Sequence, residues 1–173
     1  MVERAREEAP LPPGTKEKES IKLAQLASEH APLRQWLIGI VKDQTEQYDW
    51  RMRALTELVE MSDDGAAIGV MEELLDWLDK AHPTGRLDVL ARHDIAHSIT
   101  FRALTVKEPG EACLRIVKRS FGDDWPKVLV SIAENPPPSN PGMDTREEKA
   151  IRDAKARCAR ALLEKFPESA EGQ

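Results

Sequence analysis

Apolar residues in this chain recur at the three- and four-residue spacing of one helix face, segment after segment. Leu33, Trp36, Leu37, Ile40 and Val41 make the first clear stripe. Tyr48, Met52, Leu55, Leu58 and Val59 make a second, and Ile68, Met71, Leu74, Leu75 and Leu78 a third, with Trp77 alongside. Ala112, Cys113, Ile116 and Val117 follow, then Val128, Leu129 and Ile132. Ile151, Ala154, Cys158, Ala161 and Leu162 form a narrow last stripe. No stretch alternates polar and apolar residues convincingly over five positions or more, so nothing asks for a half-buried strand. The expected fold is all-α, with about seven to eight helices.

The breaks between stripes carry helix punctuation. Pro32 and Pro126 sit where the first turn tolerates proline. "DQTE" at 43–46 has the form of a capping box and is expected to open a helix or bend one. "SDDG" at 62–65 is expected to cap the following helix through its acids and end the preceding one at its glycine. "HPTGR" at 82–86 precedes a helix expected from about Leu87 to Leu104, and "KEPGE" ends it, with Pro109 able to start another. Thr145 and Glu148 have the spacing of a second capping box.

This punctuation divides the chain into a disordered arm at 1–18, a helical core at 19–133, a proline-rich linker at 134–144, an amphipathic helix at 145–166 and a tail at 167–173. Four prolines in "ENPPPSNPG" are expected to stiffen that linker toward polyproline geometry. The double acids Asp63–Asp64 and Asp123–Asp124, sixty residues apart, suggest similar helical hairpins. Two architectures therefore stay open: a compact multi-helix bundle, or a short irregular HEAT-like array.

Aromatics are 5% of the chain and charged residues 32%, a composition suited to helix. The net charge of −6 argues against coating nucleic acid by phosphate neutralisation. Cys113 and Cys158 are too few for a disulfide framework and fall at core-like positions. The N-terminus has no apolar run of the secretory kind, and no segment nears the roughly 20 apolar residues of a membrane span. A soluble, intracellular protein that avoids membranes is expected.

Chemistry concentrates in "LARHDIAHS", residues 90–98. On a helical wheel His93 and His97 lie together, flanked by Leu90, Phe101 and Leu104, with Asp94 at the edge of that face. Leu87, Ala91, Ile95 and Ile99 cover much of the other side. A helix apolar nearly all round is usually central, so both histidines are expected half-buried and hydrogen-bonded to neighbours. Two imidazoles four residues apart are also able to chelate a divalent ion.

"HDIAH" resembles the central motif of the HD-domain metal phosphohydrolases, an all-α family. The resemblance covers about seven residues. It implies that His93 and Asp94 ligate one divalent metal, joined by a downstream acid such as Asp144 or Asp153, and that bound water attacks a phosphoester. The family's earlier histidine has no counterpart here, since residues 58–70 contain none. His97 completes the candidate metal set.

Charge is segregated along the chain. Residues 43–80 hold eleven acids and three bases, whereas 102–165 hold thirteen bases and ten acids. Arg115, Lys118 and Arg119 cluster at one helix end. The bases of the last helix are interleaved with Glu147, Glu148 and Asp153 and with no aromatic residue, so the stacking platform common in single-strand binders is missing. Trp36 is expected in the core. Trp50, Trp77 and Trp125 lie beside their inward stripes, as boundary residues or partner anchors.

The expected function is a non-enzymatic helical interaction or scaffold module, without cofactor, docking another protein or a second copy of itself. Trp50, Trp77, Trp125, Arg115, Lys118 and Arg119 are the candidate contacts. The alternative is the metal-dependent phosphohydrolase carried by His93 and Asp94. A third reading is a nucleic-acid binder using the basic C-terminal half. Because Leu55 and Ile95 belong to inward stripes, Leu55→Ala and Ile95→Ala should each lower the unfolding free energy by about 2–4 kcal/mol. Urea denaturation checks this, and a loss below about half a kcal/mol at Ile95 would show that its helix is not central.

Overall fold

Helix ends in this protein are set by local hydrogen bonds that a sequence pattern only partly reveals. The structure, a computed structural model, describes residues 23–138 and 145–167. The expected arm at 1–18, most of the proline-rich segment and nearly all of the tail lie outside the described residues. The chain is helical over 23–29 (α1), followed by α2 (Ala31–Lys42), α3 (Tyr48–Val59), α4 (Asp64–Lys80) and α5 (Arg86–Ala103). Then come α6 (Glu111–Phe121), a 3-10 turn (Gly122–Asp124), α7 (Trp125–Glu134) and α8 (Thr145–Lys165). Among the described residues there is no strand, and the fold is an all-α multi-helix bundle. None of the helices is long and apolar enough to cross a membrane.

The acid of "SDDG" caps as expected, whereas its glycine and the "DQTE" box do not play the expected parts. The Asp63 carboxylate accepts the Gly65 and Ala66 amides at 2.8 and 3.2 Å, so it satisfies donors that the first turn of α4 leaves without partners. Gly65 therefore lies inside the first turn of α4 and does not terminate α3. "DQTE" forms no capping box: Asp43 Oδ1 accepts from the Thr45 amide and hydroxyl at 2.9 and 2.7 Å, an Asx turn. The helix starts later, with Gln47 as its N-cap. Gly122 ends α6 with φ of 56°, a conformation that costs glycine least.

Leu37, Ile38 and Val41 of α2 join Leu55 and Leu58 of α3, Met71 and Leu74 of α4, and Ile95 and Ile99 of α5 in one core. Ile116 and Val117 of α6, Leu129 of α7, and Cys158 and Leu162 of α8 belong to the same cluster. Helix α8 packs chiefly on α7, so the helix after the proline-rich segment docks on its own chain. Helices α2 to α8 range from 10 to 21 residues, and α4 touches α2, α3, α5 and α6. That central placement is the geometry of a bundle, and the HEAT-like array gains no support.

Two placements in the core differ from expectation. Trp36 is 49% exposed, because α2 turns Leu37, Ile38 and Val41 inward. Apolar residues at 36, 37, 38, 40 and 41 define a face only to within about one residue, and packing decides which edge is covered. Leu87, expected on the inner side of α5, is 69% exposed at its first turn.

An ion pair with no sequence signature ties four helices together. Arg51 and Asp88 are 2% and 4% exposed, and Arg51 Nη1 donates to Asp88 Oδ1 at 2.7 Å. Arg51 Nε donates to the Val41 carbonyl of α2 at 3.0 Å, and Asp88 Oδ2 accepts the Thr84 amide at 3.2 Å. The Trp77 ring of α4 lies 5.9 Å from the Arg51 guanidinium and 4.8 Å from that of Arg92. Arg92 in turn donates to the Leu78 carbonyl at 2.7 Å and to that of Ala81, closing the end of α4.

Arg51→Met should lower the unfolding free energy by about 3–5 kcal/mol, because it strands the Asp88 carboxylate in the core. The Arg51→Met/Asp88→Leu double variant should recover much of that loss. Urea titrations of the three proteins measure both, and a double variant no more stable than the single would refute the pairing.

Candidate functional site

Helix α5 carries the sequence's candidate chemistry, and the structure opens its histidine face to solvent. Ala91, Ile95, Ile99 and Ala103 are all fully buried against α3, α4 and α6. The opposite face shows Leu90 at 49% exposure and the His93 side chain at 79%. His97 is exposed as well. The expectation of half-buried histidines is thus corrected: the helix is central, yet His93 and His97 are exposed.

Asp94 is held by structure. The Tyr48 hydroxyl of α3 donates to Asp94 Oδ2, and His93 Nδ1 lies 3.2 Å from Asp94 Oδ1. The Tyr48 bond, then that of His93, holds the Asp94 carboxyl below the usual carboxylate range. The same bond pushes the Tyr48 phenol up. Among the described residues, no three His, Cys, Asp or Glu side chains converge as metal ligands. Asp153 lies exposed on α8, beside a separate depression lined by Glu148, Lys149 and Arg152, and Asp144 lies outside the described residues. Among the described residues, His93 and Asp94 are adjacent but no third carboxylate, histidine or cysteine joins them.

Nor do the expected partner contacts form one patch. Trp125 is 3% exposed in the core, under the Lys118 ammonium at 5.2 Å, which corrects its placement as an edge residue. Trp77 is partly buried between Arg51 and Arg92. Of the three, Trp50 alone is exposed, at 42%, with Arg53 5.5 Å from its ring. Arg115 pairs with Glu72, and Arg119 Nε sits 3.2 and 3.3 Å from the two Asp79 oxygens. The acidic α4 and the basic α6 therefore neutralise each other within the chain. In α8, Arg160 and Lys165 donate to the carbonyls of Ala133 and Pro109, each at 2.9 Å.

A groove of about 700 Å³ opens beside the histidines. Phe101 and Leu104 of α5, Phe121 of α6, and Val128 and Ile132 of α7 supply apolar walls. Thr100 and Ser120 share a hydroxyl hydrogen bond of 2.6 Å at its side. The charged or titratable groups lining it are His93, His97, Arg119 and Lys155; among the described residues, no aspartate or glutamate does so.

Lys155 is the residue that sequence reasoning missed. It is 5% exposed, with Nζ 4.3 Å from the Phe101 ring centroid and 3.5 Å from the Pro137 carbonyl oxygen. Burial lowers the pKa of its amine, and Glu148 opposes that shift. A signal existed: Ile151, Lys155, Cys158 and Leu162 follow i, i+4, i+7, i+11 spacing, so this lysine occupies a core position. The two thiols offer no nucleophile, since burial raises the pKa of Cys113 and pushes Cys158 up to about 12. The groove thus combines apolar walls with positively charged or protonatable side chains.

Comparison of this chain with protein-family models, with curated proteins and with solved structures finds no match.

Because the folded Asp94 has a depressed pKa, its hydrogen bonds stabilise the fold above the ordinary carboxylate range, and that stability is lost as pH falls through the depressed value. Tyr48→Phe should lower the urea midpoint at pH 7, and the difference from wild type should vanish on acidification. The effect is small, since the Asp94 side chain is 43% exposed and solvent screens it. A difference that stays constant down to pH 2 would rule this account out.

Proposed function

We propose that this protein is a helical protein–protein interaction module that docks an amphipathic partner helix along the open face of α5 and into the adjoining groove. The observation that carries the reading is the groove's composition. On a chain of net charge −6, its apolar lining is accompanied by lysine, arginine and two histidines and, among the described residues, by no carboxylate. Such a surface complements a helix whose apolar stripe is flanked by acidic residues. Leu87 and Leu90 extend the apolar surface along the same helix face, at 69% and 49% exposure.

Helix-in-groove recognition needs apolar anchors at i, i+3 or i+4 spacing. Leu87, Leu90, His97 and Phe101 present a matching periodicity for such a helix to lie against. Charge in the rim sets orientation and excludes basic partners, while the apolar floor supplies most of the binding energy.

A photo-reactive amino acid placed at Leu90, at His97 and at the control position Gly39 in cells tests the reading. The expected result is the same adduct from Leu90 and His97 and none from Gly39, with loss of both on Leu87→Glu substitution. Mass mapping should place the adduct in an amphipathic segment with acids beside its apolar stripe. Adducts from all three positions alike, adducts in a basic or non-amphipathic segment, or no adducts at all would each reject it.

A further inference from the structure

Helix α5 presents two imidazoles to solvent on one face, His93 and His97, one turn apart. The chain's other histidines, His30 and His82, have no second histidine at helical spacing. Structure also sets the chemistry of the His93 ring. Its Nδ1 lies 3.2 Å from Asp94 Oδ1, and the other oxygen of that carboxylate accepts the Tyr48 hydroxyl of α3. A carboxylate beside Nδ1 requires the N–H there, so the neutral ring keeps its lone pair on Nε2. That nitrogen lies across the ring from Asp94, on a side chain that is 79% exposed. We infer that His93, through Nε2, and His97 together chelate one divalent transition-metal ion, with Asp94 as the outer carboxylate that orients His93.

Imidazole suits zinc, copper and nickel, whereas magnesium and calcium prefer oxygen ligands. Side chains four residues apart on a helix have Cβ atoms about 5–6 Å apart, a span that one ion bridges. His97 is exposed, so its ring turns about its side-chain torsions within nanoseconds to meet an ion that His93 already holds. Among the described residues no three donors converge, so the protein supplies two ligands and the ion keeps open positions. The part given to Asp94 differs from the one that the phosphohydrolase resemblance implies. It holds the ring and not the metal, as carboxylates beside metal-bound histidines commonly do. Its negative charge offsets that of the ion, while Arg119 of the groove is engaged by Asp79. Both histidines line the groove, so the ion stands at its edge, with open positions for water or for an entering oxygen donor. The inference does not depend on what docks there.

The full chain, purified without an affinity metal and carrying ¹⁵N in its histidine rings, is titrated with Zn²⁺ and separately with Mg²⁺. Ring-nitrogen spectra report, for each of the four histidines, which nitrogen holds the proton and which shifts on binding. Before metal is added, neutral His93 should show the Nδ1–H tautomer. Zn²⁺ should then saturate at one ion per chain and shift His93 Nε2 together with a nitrogen of His97. His30 and His82 should stay unmoved, and Mg²⁺ should shift none of the four. His93→Ala and His97→Ala should each weaken Zn²⁺ binding about a hundredfold, the low end of what a second linked contact adds. Both side chains are exposed, so both variants are expected to fold. Asp94→Asn should weaken binding about tenfold and redistribute the His93 tautomers, whereas His82→Ala should change neither. Equal shifts at all four histidines, unchanged affinity in His97→Ala, or no Zn²⁺ binding at sub-millimolar concentration would overturn the chelate. Unchanged affinity and tautomer in Asp94→Asn would overturn the part given to Asp94.

Discussion

The buried pair of Arg51 and Asp88 is the constraint on which the helix arrangement turns. Two charges almost removed from water are tolerated only in a fixed geometry, so the pair sets the distance and rotation of α3 against α5. Through the Val41 carbonyl it also fixes α2, and through the Thr84 amide it fixes the entry into α5. Trp77, between the guanidiniums of Arg51 and Arg92, extends the same lock to the end of α4. Hydrophobic burial alone is indifferent to small rotations of a helix about its axis. A hydrogen-bonded charge pair is not, because a shift of an ångström or so leaves a carboxylate without partners. That locked rotation directs Ala91, Ile95 and Ile99 inward and leaves His93 and His97 outside.

At the other end of α5, Arg102 performs a related task in partial exposure. Its Nη2 donates to the Met61 carbonyl at 3.0 Å and to Asp64 Oδ1 at 2.8 Å, while Asp64 Oδ2 accepts the Lys107 amide at 3.0 Å. Ion pairs from Lys42 to Glu73, Arg115 to Glu72 and Arg119 to Asp79 then join α4 to α2 and to α6. Most of these are partly exposed, so each contributes little stability on its own, but together they select which helices neighbour each other. They also engage several of the charges that the sequence offered to partners, Arg115 and Arg119 among them.

That groove exists because α5 is apolar on more of its circumference than the bundle covers. Helices α3, α4 and α6 enclose one side, while the short α7 and the residues after it pass at a distance that leaves a cleft over Phe101 and Leu104. The cleft has apolar walls and is lined also by two histidines, an arginine and a lysine. The proposed docking of an acidic amphipathic helix is motivated by that lining.

Much of the fold is legible in the spacing of apolar residues. Period and punctuation point to helices near their observed places, to Asp63 as a cap, to Ile95 and Ile99 as core, and to an all-α class. These are local properties, decided within a turn or two by backbone hydrogen bonding and the burial of one face. The sequence also concentrates histidine and aspartate on α5, and so points to the right helix. What it does not contain is the partner of each charge. Arg51 with Asp88, Tyr48 with Asp94, and Lys155 against Phe101 are 37, 46 and 54 positions apart. No periodicity links such residues, and only the packing of complete helices brings them within hydrogen-bond or ring-contact range. Trp36 and Trp125 exchange their expected environments for the same reason, since a stripe defines a helix face to within a residue and the neighbouring helix chooses among its edges. The sequence by itself determined the helices and their buried faces; the tertiary structure alone decided which charges are satisfied within the chain and which side of α5 remains open, because those depend on distances between segments far apart along it.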